Sequence, residues 1–423
     1  MVDKDLYLEE RYKRKHMRIW LINHYGVPPQ YYPLARPTLF AKNLGKMGYE
    51  VIIFAASAVH NSDINLIEDG ALYKKDIVDG VHYVYIRCSS YQENGLKRAV
   101  NILEFAERLP LVCKHFRKPD AVIATSFDPV SCYQGIRLAK KYNAKAVAEI
   151  ADLWPETPVA YGMMKASSLV VKALRFLEKR IYTKADAIVF TMEGAYDYII
   201  EQGWTNEIPR DKVFYINNGI DLEEFEYNRK NYIIDDVDLK NDNSFKVIYT
   251  GAIRKVNNLG LLLDTAKLVK NKNIKFLIWG DGDELDILRR RVEKEGIVNV
   301  VFKGKVDKKY IPYIISQANV NFAHGKQTSI AKYGLSLNKM FDYLAAGKMI
   351  LTDYSSPYNP VVQCGAGIEI ENSDAMNIAN IIDDCSYMDD KEIKKYTENT
   401  KKEVKKYDFA ELTKKLEVII NQI

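Results

Sequence analysis

The chain has 423 residues, 47% of them hydrophobic and 28% charged. At roughly 150 residues per domain, this predicts two or three globular domains and excludes a disordered or fibrous chain. Lys+Arg 61 against Asp+Glu 56 leaves a net charge of +5, which admits an anionic ligand or membrane surface but falls short of the basic footprint of a nucleic-acid binder.

In chain order, residues 1–16 (MVDKDLYLEERYKRKH) are charged throughout and lack the apolar segment of a signal peptide. They read as an appendage, with Arg11–His16 a weak candidate for attraction to a surface. Arg18–Asn23 is the first strand, followed by the Gly/Pro-rich loop His24–Pro37, a helix with Leu44 and Met47 on one face, and the strand Glu50–Ala55. Further strands are expected at Ala121–Thr125, Ala146–Ile150, Ala187–Thr191 and Val213–Ile216, with an amphipathic helix at Ser168–Tyr182.

The second half opens in the same way. A strand at Lys246–Thr250 leads into the polar loop Gly251–Asn258 and a helix with Leu262, Ala266 and Val269 on one face. The strand Lys275–Trp279 then leaves through Gly280 and Gly282, and strands at Asn299–Lys303, Val320–Ala323, Met349–Thr352 and Gly367–Ile370 complete the set. Apolar runs alternating with helical patterns predict an α/β fold of parallel sheets flanked by helices. The repeated opening predicts two Rossmann-like doubly wound domains, residues 17–225 and 246–387, joined by the Asn/Asp-rich linker 226–245 and facing one another across a cleft.

Five scattered cysteines, Cys88, Cys113, Cys132, Cys364 and Cys385, suit neither a disulfide framework nor a zinc site and point to a reducing cytoplasm. No apolar run approaches the roughly 20 residues that cross a bilayer, so the expectation is a chain neither exported nor integral.

Three segments of the second half suit anions. Gly251–Asn258 follows a strand and opens a helix, offering free N–H groups together with Arg254 and Lys255; a solvated basic loop has the same look. The turn Trp279–Glu284 contains Gly280 and Gly282, which serve either phosphate approach or the turn itself. Its Asp281 and Asp283 lack neighbouring ligands for a metal, and no metal site is expected. Tyr333–Asp353 carries a glycine loop into a helix, with Ser336 as the expected N-cap. Lys339 and Asp342 share a face of that helix, so a cation for phosphate and a carboxylate for ribose point one way; a surface ion pair has the same spacing.

In the first half, Asp152 stands just past a strand, placed to orient or deprotonate a hydroxyl or to cap a turn. The aromatic, stiff loop carrying His24, Tyr25, Gly26 and Arg36 suits a sugar acceptor, with packing the alternative for His24. Lys165, Lys172, Arg175, Lys179 and Arg180 share a helix with Leu169, Val170, Leu174 and Leu177; such a helix rests on an anionic membrane or, more commonly, packs its apolar stripe on the sheet.

Together these segments resemble retaining glycosyltransferases of the two-domain GT-B class, specifically the family-4 group of bacterial surface-polysaccharide enzymes. The resemblance runs from Arg18 to about Ile382 and rests on INNGIDLEEF (Ile216–Phe225), YTGAIRKVNNL (Tyr249–Leu259), IWGDGDELDIL (Ile278–Leu288), FKGKVDKKYIPYIISQANV (Phe302–Val320) and SLNKMFDYLAAGK (Ser336–Lys348). The last of these, with ADLWPE, is similar to a subgroup acting on amino- or deoxy-sugars in O-antigen and capsule assembly. The resemblance implies a nucleoside-diphosphate sugar as donor and a glycan or polyprenyl-diphosphate-linked acceptor, with no cofactor and no metal. It further implies peripheral contact with an anionic membrane, and C-terminal helices (388–423) that cross back to the first domain.

Carried over residue by residue, it places Gly251, Arg254, Asn258, Gly280, Gly282, Gly304, Val306, Gly334, Ser336, Asn338, Lys339 and Asp342 at the donor, with Asp152, Arg254 and Lys339 catalytic. The family's first acidic position is Gly334 here, and the histidine that often precedes the first-domain acid is Ala151. The shared fold keeps a nucleotide-sugar 2-epimerase in view as a rival, and the missing first acid keeps a non-catalytic nucleotide-sugar-binding subunit.

Overall fold

The computed structural model describes residues 17–33, 35–92 and 95–423; the expected appendage 1–16, with Arg11–His16, lies outside them. The chain forms two compact units. One comprises the described residues up to Asn217 together with Phe409–Ile423; the other is Asn218–Asp408.

The first unit is built on β1 (Arg18–Ile22), β2 (Glu50–Ala56), β3 (Tyr73–Val78), β4 (Val81–Ile86), β5 (Ala121–Thr125), β6 (Lys145–Ile150), β7 (Ala187–Phe190) and β8 (Val213–Tyr215). They form one sheet in the order β3-β4-β2-β1-β5-β6-β7-β8, parallel except for the β3–β4 edge pair. Central strands such as β1 and β5 are continuous apolar runs because helices cover both sheet faces. The β3–β4 hairpin is absent from the sequence reading, although Asp79-Gly80, both at positive φ (50° and 78°), is the turn a tight hairpin demands.

The strand order reverses between β1 and β5, so the loops after these strands, Asn23–Pro33 and Ser126–Asp128, flank the crevice at their carboxyl ends. The helix Pro129–Tyr142 starts there, capped by Asp128. The last helix, Phe409–Gln422, packs on the helix Arg36–Lys46; Phe409 meets Phe40 edge-on at 5.5 Å between ring centres, and Leu412, Leu416 and Ile420 join the same buried cluster.

The second unit contains β9 (Phe245–Thr250), β10 (Ile274–Trp279), β11 (Val300–Gly304), β12 (Val320–Ala323), β13 (Met349–Thr352) and β14 (Gly367–Glu369), all parallel, in the order β11-β10-β9-β12-β13-β14. Numbered within the unit this is 3-2-1-4-5-6, the order of dinucleotide-binding sheets, with its switch point between β9 and β12.

Two expected boundaries move. The helix Leu222–Asn231, capped by Asp221, belongs to the second unit, where Phe225 is buried in a cluster with Met340 and Tyr343. The expected linker 226–245 is tied to the same unit by ion pairs: Lys303 holds Asp236 and Asp238, each at 2.6 Å, and Lys275 holds Asp238 at 2.7 Å. At the C-terminal end, the helix Asp390–Glu403 packs on the helix Asn338–Ala346 and on β13. Of the expected returning segment 388–423, it is the stretch from Phe409 that joins the first unit, because its apolar stripe completes that unit's core.

Candidate functional site

In the second unit, the loop after β9 and the turn after β10 pack backbone to backbone. Gly251 N–H donates to Trp279 O (3.0 Å), Ile253 N–H to Asp281 O (2.8 Å) and Glu284 N–H to Ile253 O (3.1 Å). A Cβ on Gly280 would stand 1.8 Å from Gly251 O, and one on Gly282 would stand 2.2 Å from Ile253 O. These two glycines therefore exist to let the loops touch, which is the conformational alternative for this turn. Asp281 Oδ1 accepts from Gly282 N–H within the turn. Gly304 O accepts from Gly280 N–H, and Val306 packs on the apolar cluster beneath, so both positions support the turn.

Lys339 crosses to that loop. Its Nζ lies 3.2 Å from Tyr249 Oη and 4.3 Å from the centre of the Tyr249 ring, and a Cβ on Gly251 would come within 3.3 Å of it. Tyr249 Oη is its hydrogen-bond partner among the described residues, and no carboxylate pairs with it. Burial pulls the ammonium down to about 8, against the field of Asp353, which acts to raise it. Such a cation is short of an anion. Three residues on, Asp342 is half-buried, and burial raises its carboxyl, countered in part by Lys308. Tyr343 locks this helix to the strand end: its hydroxyl meets Thr250 N (2.9 Å) and Oγ1 (3.2 Å).

The helix begins at Asn338 with Leu337 at the cap position and no side-chain cap. This corrects the expectation for Ser336. Leu337 packs into the apolar cluster, so the chain turns one residue late and the Ser336 hydroxyl misses the helix axis. Ser336 Oγ is instead buried without a partner, its carbonyl held by Asn218 Nδ2 at 3.2 Å. The first-turn N–H groups of Asn338 and Lys339 stay uncapped, an open positive helix end. Asn338 is exposed, and Gly334 turns the chain at φ 125°, donating to Ala331 O. Arg254 is exposed at the start of the short 3-10 turn Lys255–Asn257, and Asn258 follows in the left-handed region (φ 50°) at the head of the helix Leu259–Leu268.

Sequence reasoning missed the support beneath this loop. His324, fully buried past β12, meets Asn258 O through Nε2 at 2.9 Å and Asp353 Oδ2 through Nδ1, while Asp353 Oδ1 accepts from Gly325 N–H at 3.2 Å. Both ring nitrogens face acceptor oxygens. The ring thus ties the β9 loop to β12 and β13 across the switch point. The signal was a lone His directly after an apolar strand.

In the first unit, Asp152 follows β6 and is half-buried, and desolvation lifts its carboxyl to about 6. Asp128, missed from sequence, follows the neighbouring β5; the Asp-Pro start of a helix was its signal. Its Oδ1 accepts from Ser131 N–H (2.6 Å), its Oδ2 is buried without a partner, and burial raises it to about 6 as well.

Two acceptor candidates are consumed by the fold. Arg36 is buried, bonding Glu149 Oε1 (2.9 Å), Asn217 O (2.6 Å) and Ile216 O (2.9 Å), because the buried Glu149 and two strand-end carbonyls need a cation. His24 is buried against Asn101 Oδ1 (2.5 Å), and burial depresses it to about 4, so it is a neutral packing ring. Tyr25 accepts from Arg98 Nη2 (2.8 Å) beside the rings of His24, His60 and Phe127, and Gly26 makes the tight return to Asn23 O (2.9 Å).

Two doubly wound units, one with a cation and an open helix end at its switch point, define the GT-B class of glycosyltransferase. Comparison with known proteins agrees. The family model Glycosyltransferase Family 4 matches residues 38–224, and Glycosyl transferases group 1 matches residues 233–403. The chain belongs to the family-4-type GT-B glycosyltransferases. It is similar to the probable glycosyltransferase WbjE of Pseudomonas aeruginosa, 24% identical over 58% of this chain and 60% of WbjE. It is also similar to the putative colanic acid biosynthesis glycosyl transferase WcaI of Escherichia coli K12, 25% identical over 54% of this chain and 57% of WcaI. The match thus spans less than two thirds of either relative. Among solved structures, Anabaena Alr3699/HepE in complex with UDP-glucose shares the fold at TM-score 0.64 and 13% identity, over 96% of this chain and 100% of that one.

Proposed function

We propose that the protein moves a sugar from a nucleoside-diphosphate sugar to a hydroxyl of a glycan or polyprenyl-diphosphate-linked glycan, with retention at the anomeric carbon, in cytoplasmic steps of bacterial surface-polysaccharide synthesis. The observation that carries this reading is Lys339: a half-buried ammonium without a carboxylate partner among the described residues, set against Gly251 beside an uncapped helix end. A diphosphate supplies the missing anion, the orphaned Ser336 hydroxyl finds an acceptor in it, and Asp342 is left for ribose hydroxyls. The named ligand of HepE and the named roles of WbjE and WcaI point the same way.

In the proposed reaction, the bond from the anomeric carbon to the diphosphate oxygen breaks as the acceptor oxygen bonds to that carbon on the same face. The acceptor proton leaves to a carboxylate, for which Asp152 is the candidate. Lys339, Arg254 and the helix N–H groups stabilise the charge that develops on the leaving diphosphate. With those cations in place the transfer is read as metal-independent, so chelation with EDTA leaves turnover unchanged.

Lys339→Ala and Arg254→Ala are each expected to lower kcat by ~10²–10³-fold while the melting temperature holds. Near-wild-type turnover in both would overturn the reading. Incubation with donor alone separates the rival: an epimerised nucleotide sugar supports the epimerase, whereas slow hydrolysis supports transfer.

A further inference from the structure

The loop Gly251–Asn258 is gripped from two sides. The turn after β10 holds its first half, through Ile253 N–H to Asp281 O and Glu284 N–H to Ile253 O. The segment leaving β12 holds its second half: His324 Nε2 meets Asn258 O at 2.9 Å, and Lys326 N–H donates to Val256 O at 3.1 Å. Arg254 lies between these fixed points with its side chain exposed.

Asn258 is the pivot of that grip. It stands in the left-handed region at the head of the helix Leu259–Leu268, and its carbonyl also accepts from Leu261 N–H at 3.1 Å. That helix has no side-chain cap, so the aim of its first N–H groups follows the backbone of Asn258. His324 is the side chain that fixes the Asn258 carbonyl from outside the loop.

The ring is braced for this task. It is fully buried, and its Nδ1 meets Asp353 Oδ2, while Asp353 Oδ1 accepts from Gly325 N–H at 3.2 Å. Tyr354 Oη donates to His324 O at 3.3 Å, and a Cβ on Gly325 would stand 1.8 Å from that same Oη, so the bend after the ring requires glycine. The ring orientation is thus set from β13, and its free end is spent on the β9 loop. A histidine that only fills the core would depend on its volume; one that aims a loop depends on which nitrogen it keeps.

We propose that His324 is a positioning residue for the diphosphate, holding Asn258 O so that the loop Gly251–Asn258 and the start of the following helix face the anion. This rests on reading the second unit as a nucleoside-diphosphate-sugar site, and it adds a side chain that acts on the ligand only through others.

The test keeps one ring nitrogen at a time in the full chain. Glutamine places its amide nitrogen near the Nε2 position and retains the bond to Asn258 O, whereas asparagine places its own near Nδ1 and retains the bond to Asp353. The probes are UDP, GDP, ADP and dTDP in titration calorimetry, read with whichever binds the wild type most tightly. His324→Asn is expected to weaken that nucleotide about tenfold, and His324→Gln about threefold or less. In the wild type, the ¹⁵N signals of the His324 ring should move when the nucleotide is added, although the ring is closed to solvent. Equal affinity across the three proteins, or the reverse order of the two variants, overturns the proposal. Where a variant does not fold, a silent ring in the wild type does so. Failure of all four nucleotides to bind the wild type overturns the donor reading itself, and this proposal with it, before any substitution is made.

Discussion

Asp152 and Lys339 carry opposite charges, yet burial moves each toward neutrality, the carboxyl up to about 6 and the ammonium down to about 8. If Asp152 takes the acceptor proton, kcat/KM should climb as pH rises through about 6, where the carboxylate forms. Asp152→Asn should erase that limb and lower the rate by ~10²–10⁴-fold. Donor affinity should instead weaken as pH rises through about 8, because Lys339 loses its charge. A pH series of kcat/KM and of donor binding checks both signs. The residue types at these positions were legible, but their partners were not. Gly251 lies 88 positions from Lys339, and Arg36 looked available until folding brought the buried Glu149 to it.

Elements were easier to read where their burial pattern is local. The central parallel strands of both sheets announce themselves as apolar runs, since they are covered on both faces. Helix faces were harder, as Leu169–Lys184 shows: the sequence offers two apolar stripes, and the choice between them depends on which fits the sheet. Here Val171, Ile181 and Tyr182 are buried, and Leu169, Val170 and Phe176 stay exposed. That helix also carries a testable strain. Glu178 is buried and accepts from Tyr182 Oη (2.7 Å) and Tyr198 Oη (2.8 Å), and desolvation raises it to about 8. Because the unfolded carboxyl titrates near ~4.3, its proton stabilises the fold below that pH, and the contribution is lost as pH rises through about 8. Glu178→Gln should therefore match the wild-type melting temperature near ~pH 4.3 and exceed it by about 2–4 °C per kcal/mol relieved at alkaline pH. A gap that fails to widen with pH would count against this account.

At the scale of the whole molecule, the C-terminal helix is a distant part of the chain that finishes the first unit. Phe409, Leu412, Leu416 and Ile420 are buried with Phe40, Leu44 and Ile53; Lys145 Nζ bonds Ile420 O at 2.6 Å, and Tyr49 Oη bonds Glu417 Oε1 at 2.9 Å. Leu416→Ala should cost about 2–5 kcal/mol, read as a lower denaturation midpoint. Donor binding by Asn218–Asp408 should be retained, because that unit has its own core. Loss of donor binding at unchanged stability would contradict this division of labour.

What the sequence determined by itself was the class of fold and the identity of the loops that meet at the second sheet's switch point, because alternation of apolar runs, glycine placement and helix starts are local properties of the chain. The tertiary structure decided which groups those loops bring together. It set Lys339 against Gly251, placed His324 under Asn258, moved the cap from Ser336 to Leu337, and left one face of Leu169–Lys184 bare. Each of these depends on packing between segments distant in sequence, where burial and the pairing of charges are settled only once both partners are in place.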